Sequence, residues 1–290
     1  MPRRARIAAL AAAPLIAAGA FAVVPAAAPA PAAPVPTAAL AATTAVNWAQ
    51  AGPSRVTVDD APHHRIYRPA NLGAKNTRHA VVIWGNGTGA TPAAYDKLLR
   101  HWASHGFIVA AAKTKSSNNG VQMRQGLDLL AKRNSTPSSP YYRRVDLGHV
   151  AAAGHSQGGA GALNAAADRR VDAVLPIQPG PLASPGKVRQ PTLYMAGEKD
   201  KVVKPGWVLG DYNVSGNRPA AYAEIRGAGH VASAGNGGAF RGMATAWLYF
   251  TLRNDAGARA MFGGPSCGYC SDTTLLSQWK RNAKFLAFAR

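Results

Sequence analysis

"HVAAAGHSQGGAGALNAAAD", residues 149–168, is the stretch on which the fold turns. Val150 to Ala153 are small or apolar, as in a buried strand, and an alanine-rich helical pattern starts at Gly158. Gly154-His155-Ser156-Gln157-Gly158 joins the two. A G-x-S-x-G pattern alone is weak, since so few fixed positions recur by chance. Here it has the context it needs, a strand before and a helix after. At such a turn the serine takes a strained backbone, and the flanking glycines avoid clashes with the neighbouring strand and helix. The hydroxyl then projects at the helix N-terminus, where the next backbone N–H can receive an oxyanion. The competing reading is a helix-capping serine in a turn of small residues.

The chain has 290 residues, 47% hydrophobic and 16% charged, enough for one large core or two small ones. Its start has the layout of an export signal: Arg3, Arg4 and Arg6, an apolar run from Ile7 to Val24, then small residues and prolines. A membrane span is the competing reading, but prolines and a glycine interrupt the run and alanine is a weak anchor. "APAA" (30–33) and "ALAA" (39–42) both fit a cleavage site, and Arg3-Arg4 is only a partial twin-arginine signal. Residues 1–41 are therefore expected to be a signal peptide with an Ala/Pro-rich processed segment. Residues 42–290 are expected to form a single catalytic domain, secreted, soluble and monomeric, with no membrane span after processing.

Only two cysteines occur, Cys267 and Cys270 in "PSCGYCSD" (265–272). Zinc would need four ligands, and no second cysteine pair or adjacent histidine supplies them. A redox C-x-x-C belongs early in a thioredoxin-like context, so a local disulfide is the expectation. Lys and Arg number 33 against 13 Asp and Glu, a net charge of +20. Such a surface attracts anionic surfaces. With no basic cluster interleaved with aromatics and no helix-turn-helix, nucleic acid is not an expected partner.

Strands alternate with helices along the rest of the chain. "SRVTVDD" (54–60) and "HRIYRP" (64–69) read as an antiparallel start, and "HAVVIWGNG" (79–87) as a buried strand. Thr91 and Pro92 read as the N-cap and first position of a helix that turns Tyr95, Leu98, Leu99 and Trp102 inward. "FIVAAAKT" (107–114) is a strand, and 121–133 a helix with Val121, Met123, Leu127 and Leu130 inward. "VDAVLPIQP" (171–179), "TLYMAGEK" (192–199) and "AAYAEIRG" (220–227) are further strands. Residues 240–255 close the domain as a helix burying Phe240, Met243, Trp247 and Phe250. This order predicts an α/β class, a mostly parallel sheet with helices on both faces. Ligands in such sheets sit beyond the carboxyl ends of the strands.

A serine hydroxyl needs a base. Of eight histidines only His230 follows Ser156, in the glycine-rich loop "RGAGHVASAGNGG" (226–238) after a strand. For the acid, Asp200 in "PTLYMAGEKDKVV" (191–203) stands just beyond a buried strand, at the sheet edge of Ser156. Glu198 is the close competitor and Asp211 the outside choice, whereas Asp168 and Asp172 flank the wrong end of a strand. The loop "WGNGTGATP" (84–92) should supply the second oxyanion donor, the N–H of Thr88, beside that of Gln157. It lacks the lysine of a phosphate loop and the spacing of a dinucleotide loop.

Together, "NGTGATP" (86–92), "WASHGFIVAAAKT" (102–114), "GHSQGGAG" (154–161), "GEKDKVV" (197–203) and "GAGH" (227–230) resemble the bacterial cutinase and poly(ethylene terephthalate) hydrolase branch of the α/β-hydrolases. The resemblance implies Ser156 as nucleophile, Asp200 as acid and His230 as base, with Thr88 in the oxyanion hole. It implies an ester substrate, a small ester, lipid or polyester surface, and neither cofactor nor metal. The chain departs from the family in having Thr88 where an aromatic is common, Gln157 for Met, and Gly180 where a Trp follows the strand. Acyl transfer by the same triad, and a binding protein on an inactive scaffold, are the competing functions. The dozen or so residues between "VLPIQP" and "TLYMAG" leave no room for a large cap domain.

Overall fold

The computed structural model describes residues 46–290. The leader expected over residues 1–41 lies outside the described residues. Among the described residues nine strands form one sheet: β1 (Val56–Asp60), β2 (His64–Pro69), β3 (His79–Gly85), β4 (Ile108–Ala112), β5 (Val145–His155), β6 (Ala173–Ile177), β7 (Thr192–Gly197), β8 (Ala220–Ile225) and β9 (Leu276–Arg281). Their spatial order is β1-β2-β4-β3-β5-β6-β7-β8-β9. β1 pairs antiparallel with β2, and β2 with β4, so the expected antiparallel start is present. From β4 through β8 every pairing is parallel, and β9 closes the far edge antiparallel to β8.

Alternation along these strands sends side chains to two cores. Val82, Trp84, Leu175 and Met195 belong to one, with Leu98 and Trp102 of α1 (Asp96–Ser104) and Phe240, Met243 and Trp247 of a later helix. Val81, Ile83, Val174 and Tyr194 belong to the other. There they meet Met123, Leu127 and Leu130 of α2 (Val121–Ser135), Leu163 of α3 (Gln157–Ala165) and Val208 of α4 (Pro205–Asn213). The helix on the first face is α5 (Phe240–Arg253), followed by α6 (Ala256–Phe262) and α7 (Ala283–Phe288). Each large side chain buried from water contributes roughly 1.5–3 kcal/mol, which is why the apolar periodicity wins over the modest helix propensity of these segments.

Two details differ from expectation. Pro92–Tyr95 is a 3₁₀ turn that runs into α1, and Thr91 makes no capping hydrogen bond. Proline fixes φ for either helix type, so the sequence does not distinguish them. Val121, expected inward, is 39% exposed because it opens α2 after the left-handed Gly120 and lies outside the apolar stripe. Cys267 and Cys270 form the expected disulfide, with Cα atoms 5.1 Å apart. Between β6 and β7 the chain makes only a loop with one 3₁₀ turn (Pro185–Lys187), with no cap domain. Among the described residues no helix is long and apolar enough to cross a membrane.

The join of β5 to α3 rests on backbone touching backbone. A Cβ placed on Gly158 would lie 2.0 Å from Gly85 O, and one on Gly154 would lie 2.2 Å from Gly158 O. Gly210 in α4 faces open space. Gly158→Ala should therefore lower the melting temperature sharply or prevent soluble expression. Gly210→Ala should raise stability by about 0.5–1 kcal/mol through helix propensity, and thermal melts of the two variants check both.

Three buried histidines are held neutral. Burial lowers the pKa of His64, His101 and His105, that of His101 to about 4 with help from nearby His105. His101 Nε2 lies 3.0 Å from Thr245 Oγ1 and His105 Nε2 2.9 Å from Gln50 O, tying the N-terminal segment to α1 and α5. Above about pH 6.5 both folded and unfolded states are neutral at these sites. Below it the unfolded chain takes up protons that the native state excludes, so stability falls as pH falls. Melts between pH 7 and 4 should show a steadily declining midpoint, and replacing His101 by Gln should flatten that decline.

Candidate active site

Ser156 stands between β5 and α3 with φ 55° and ψ −121°. A side-chain-bearing residue held there stores on the order of 1–3 kcal/mol of strain. The turn is pinned on both sides: Ser156 N–H donates to Ile177 O at 2.9 Å, and Ser156 O accepts from Gly180 N–H at 2.9 Å. The missing Cβ atoms of Gly154 and Gly158 let α3 approach β3 closely, which lifts the serine hydroxyl above the strand ends.

The structure brings Ser156, His230 and Asp200 into one chain. His230 Nε2 lies 2.9 Å from Ser156 Oγ, and its Nδ1 2.8 Å from Asp200 Oδ2. In the neutral ring, Nδ1–H donates to the carboxylate and Nε2 accepts from the serine hydroxyl. Asp200 is 4% exposed, and four donors offset the burial of its charge. Oδ1 accepts the N–H groups of Val202 and Val203 at 2.8 and 2.9 Å, and Oδ2 accepts from His230 and from Gln178 Nε2 at 2.7 Å. Glu198 instead turns away, accepting from Gly227 N–H at 2.6 Å. Asp211 is a half-buried acid of α4, away from Ser156 and His230 in the hydrogen-bond network, with its pKa raised by desolvation to about 6. Asp168 pairs with Arg170, and Asp172 accepts from Val150 N–H.

The loop carrying Thr88 is tied down residue by residue. Asn86 N–H donates to Ser117 Oγ, Gly87 N–H to Tyr95 Oη, Gly89 N–H to Lys115 O and Ala90 N–H to Gly87 O. Among the described residues the N–H of Thr88 alone in this run has no acceptor, and the N–H of Gln157 has none either. Both residues line the cleft beside Ser156, where a ligand can take up their N–H groups. The Gln157 side chain holds both segments, accepting from Ser117 N–H at 2.7 Å and donating to Thr88 Oγ1 at 3.3 Å.

Three further residues support this centre, and sequence reasoning passed over their roles. His155 Nε2 donates to the carbonyl of His230 at 2.8 Å, so its Nδ1 accepts from the Tyr95 hydroxyl, also at 2.8 Å. That hydroxyl in turn accepts from Gly87 N–H at 3.1 Å. Burial, then the neighbouring His230, push the His155 pKa down to about 4, which keeps the ring neutral as this relay requires. Tyr95 was readable only as a core aromatic and His155 only as a spacer in the serine motif. The third, Gln178, lies just past β6 at a positive φ of 46°.

A cleft of about 350 Å³ opens beside Ser156, lined by Thr88, Gln157, Ala160, Gly180, Leu182, Val202 and Trp207 among others. Leu182, Val202 and Trp207 are 63, 61 and 53% exposed, an apolar rim at the mouth. A cavity at Asp59, Arg68 and Tyr141 has no comparable chemistry, since its acid is already engaged by Arg68 and Tyr141. No group of residues able to hold a metal ion occurs among the described residues.

Residues 24–271 match the PETase family, described as PET hydrolase-like. Cutinase cut1 of Thermobifida fusca is 32% identical over 234 residues, covering 73% of this chain and 70% of that protein. Cutinase 2 of Thermobifida cellulosilytica is 30% identical over 234 residues, covering 73% and 85%. Cutinase est2 of Thermobifida alba is 29% identical over 229 residues, covering 76% and 74%. Similarity of this extent, on a mostly parallel sheet whose strand ends carry the serine, makes the chain a member of the PET hydrolase-like family and a carboxylic ester hydrolase of the α/β-hydrolase fold.

Proposed function

We propose that the protein is a secreted serine esterase that cleaves carboxylic esters, polyester chains included, through an acyl-enzyme on Ser156. One observation carries the reading. The Ser156–His230–Asp200 chain and the two unclaimed N–H groups of Thr88 and Gln157 meet at the same cleft. Ser156 Oγ bonds to the ester carbonyl carbon as its proton passes to His230 Nε2, and the carbonyl electron pair moves onto oxygen. Thr88 and Gln157 N–H groups receive that charge, each worth roughly 3–4 kcal/mol in the transition state. Asp200 holds the imidazole tautomer and stabilises its cation. Collapse breaks the bond to the alcohol, which leaves with the proton from His230. Water then repeats the sequence and frees the acid.

The apolar rim of Leu182, Val202 and Trp207 suits an extended apolar ester chain or the face of a polymer. At Gly180 no side chain covers the cleft, and Trp207 from α4 offers an aromatic face on it. The short β6–β7 connection leaves the mouth open, which favours water over another alcohol as acyl acceptor. Export is supported by the leader pattern in residues 1–41 and by the Cys267–Cys270 disulfide.

The test is hydrolysis of p-nitrophenyl esters from acetate to palmitate, followed by release of soluble acids from a polyester film. Ser156→Ala should lose at least about 10⁴-fold in kcat with the fold intact. If wild type and Ser156→Ala are equally inert toward every ester, the reading fails. Tyr95→Phe removes only the hydroxyl between Gly87 and His155. It should lower kcat by about tenfold with little change in KM, because oxyanion stabilisation is felt in the transition state.

A further inference from the structure

We infer that Gln178 is a positioning residue that locks the triad acid to the loop carrying the base. The inference rests on the functional reading above and deepens it. Gln178 follows β6 directly and its side chain is fully buried. Nε2 donates to Asp200 Oδ2 at 2.7 Å and to Gly229 O at 3.0 Å, and Oε1 accepts from Ser233 Oγ at 3.3 Å. The amide orientation is forced by its partners, since a carboxylate and a carbonyl can only accept. One side chain from β6 thus joins the loop after β7, which bears Asp200, to the loop after β8, which bears His230.

Two features show that the chain is built around this amide. Gln178 sits at φ 46°, a left-handed conformation that costs a side-chain-bearing residue on the order of 1–2 kcal/mol. Glycine would relieve that cost but would lose all three hydrogen bonds. At the end of β7, a Cβ on Gly197 would come within 2.6 Å of Ala228 O and 2.9 Å of Gln178 Nε2, so the glycine leaves room both for the loop that leads to His230 and for the amide. The atom that Gln178 engages is Oδ2, the same oxygen that accepts from His230 Nδ1. Gln178 does not line the cleft beside Ser156, and its side-chain hydrogen bonds go to Asp200, Gly229 and Ser233. It sets the direction and basicity of the oxygen that orients the imidazole, and it fixes the backbone one residue before His230.

Gln178→Ala removes the lock, and Gln178→Glu keeps its shape while replacing the NH₂ by a titratable oxygen. The titratable groups around it are Asp200, His230 and, behind His230, His155. As a protonated acid, the new carboxyl donates to Asp200 Oδ2; once ionised, it repels it. Gln178→Ala should lose about 10–100-fold in kcat with KM within about threefold. The kcat of Gln178→Glu relative to wild type should decline as pH rises from 6 to 9, a dependence that a merely structural residue would not produce. The downfield proton NMR resonance of His230 Nδ1–H, identified by its loss in His230→Ala, should move in both variants. A wild type inert toward esters would sink the esterase reading, while the resonance still decides the lock. An unmoved resonance in folded variants overturns the inference, as does a wild-type kcat in Gln178→Ala together with a flat ratio in Gln178→Glu. Should Gln178→Ala not fold, Gln178→Glu carries both readouts.

Discussion

The close approach of α3 to the end of β3 is the constraint on which everything else depends. Backbone meets backbone there, because Gly154 and Gly158 leave no side chains between the helix and the sheet. That contact forces Ser156 into its strained φ, and the strain is held by hydrogen bonds from the elbow to β6 and the loop after it. Strain of this kind persists only where the surroundings over-determine it. The two buried cores on either face of the sheet provide that rigidity. The energy stored at one residue is small beside the burial that fixes it.

Around the elbow the site is organised as two polar chains that share His230. One runs from Ser156 through the imidazole to Asp200 and on to Gln178. The other runs from the Thr88 loop through Gly87, Tyr95 and His155 to the carbonyl of His230. The imidazole belongs to the first and its backbone to the second. The Thr88 loop and the His230 imidazole are therefore placed by one connected set of hydrogen bonds, largely buried where the low dielectric strengthens them.

Much of this was legible before any coordinates. Parallel strands covered on both faces read as apolar runs, so β3, β4, β6, β7 and β8 stood out, and with them the strand-end loops that carry Thr88, Ser156, Asp200 and His230. What escaped has physical reasons. β9 is an antiparallel edge strand whose residues other than Leu276 keep some exposure, so "LSQWKR" has no apolar run. α4 carries Pro205, Gly206 and Gly210, and α6 and α7 are too short for a periodic signal. Position alone favours Asp200 over Glu198 in the sequence; in the structure Asp200 lies against His230 Nδ1 and Glu198 accepts from Gly227 N–H, contacts that no local pattern carries. Gln178, Tyr95 and His155 meet Asp200 and His230 or one another through hydrogen bonds spanning 22 to 75 residues, and no local pattern announces such partners.

The short connection between β6 and β7 has a consequence of its own. A hydrolase with a cap closes over its substrate and supplies all the walls of its chamber. Here one wall is missing, and whatever lies against Leu182, Val202 and Trp207 becomes the roof. Against a dissolved ester the roof is solvent, and the products diffuse straight away. Against a solid, the material itself completes the chamber, so the looseness of chains at its surface governs how often a bond reaches Ser156.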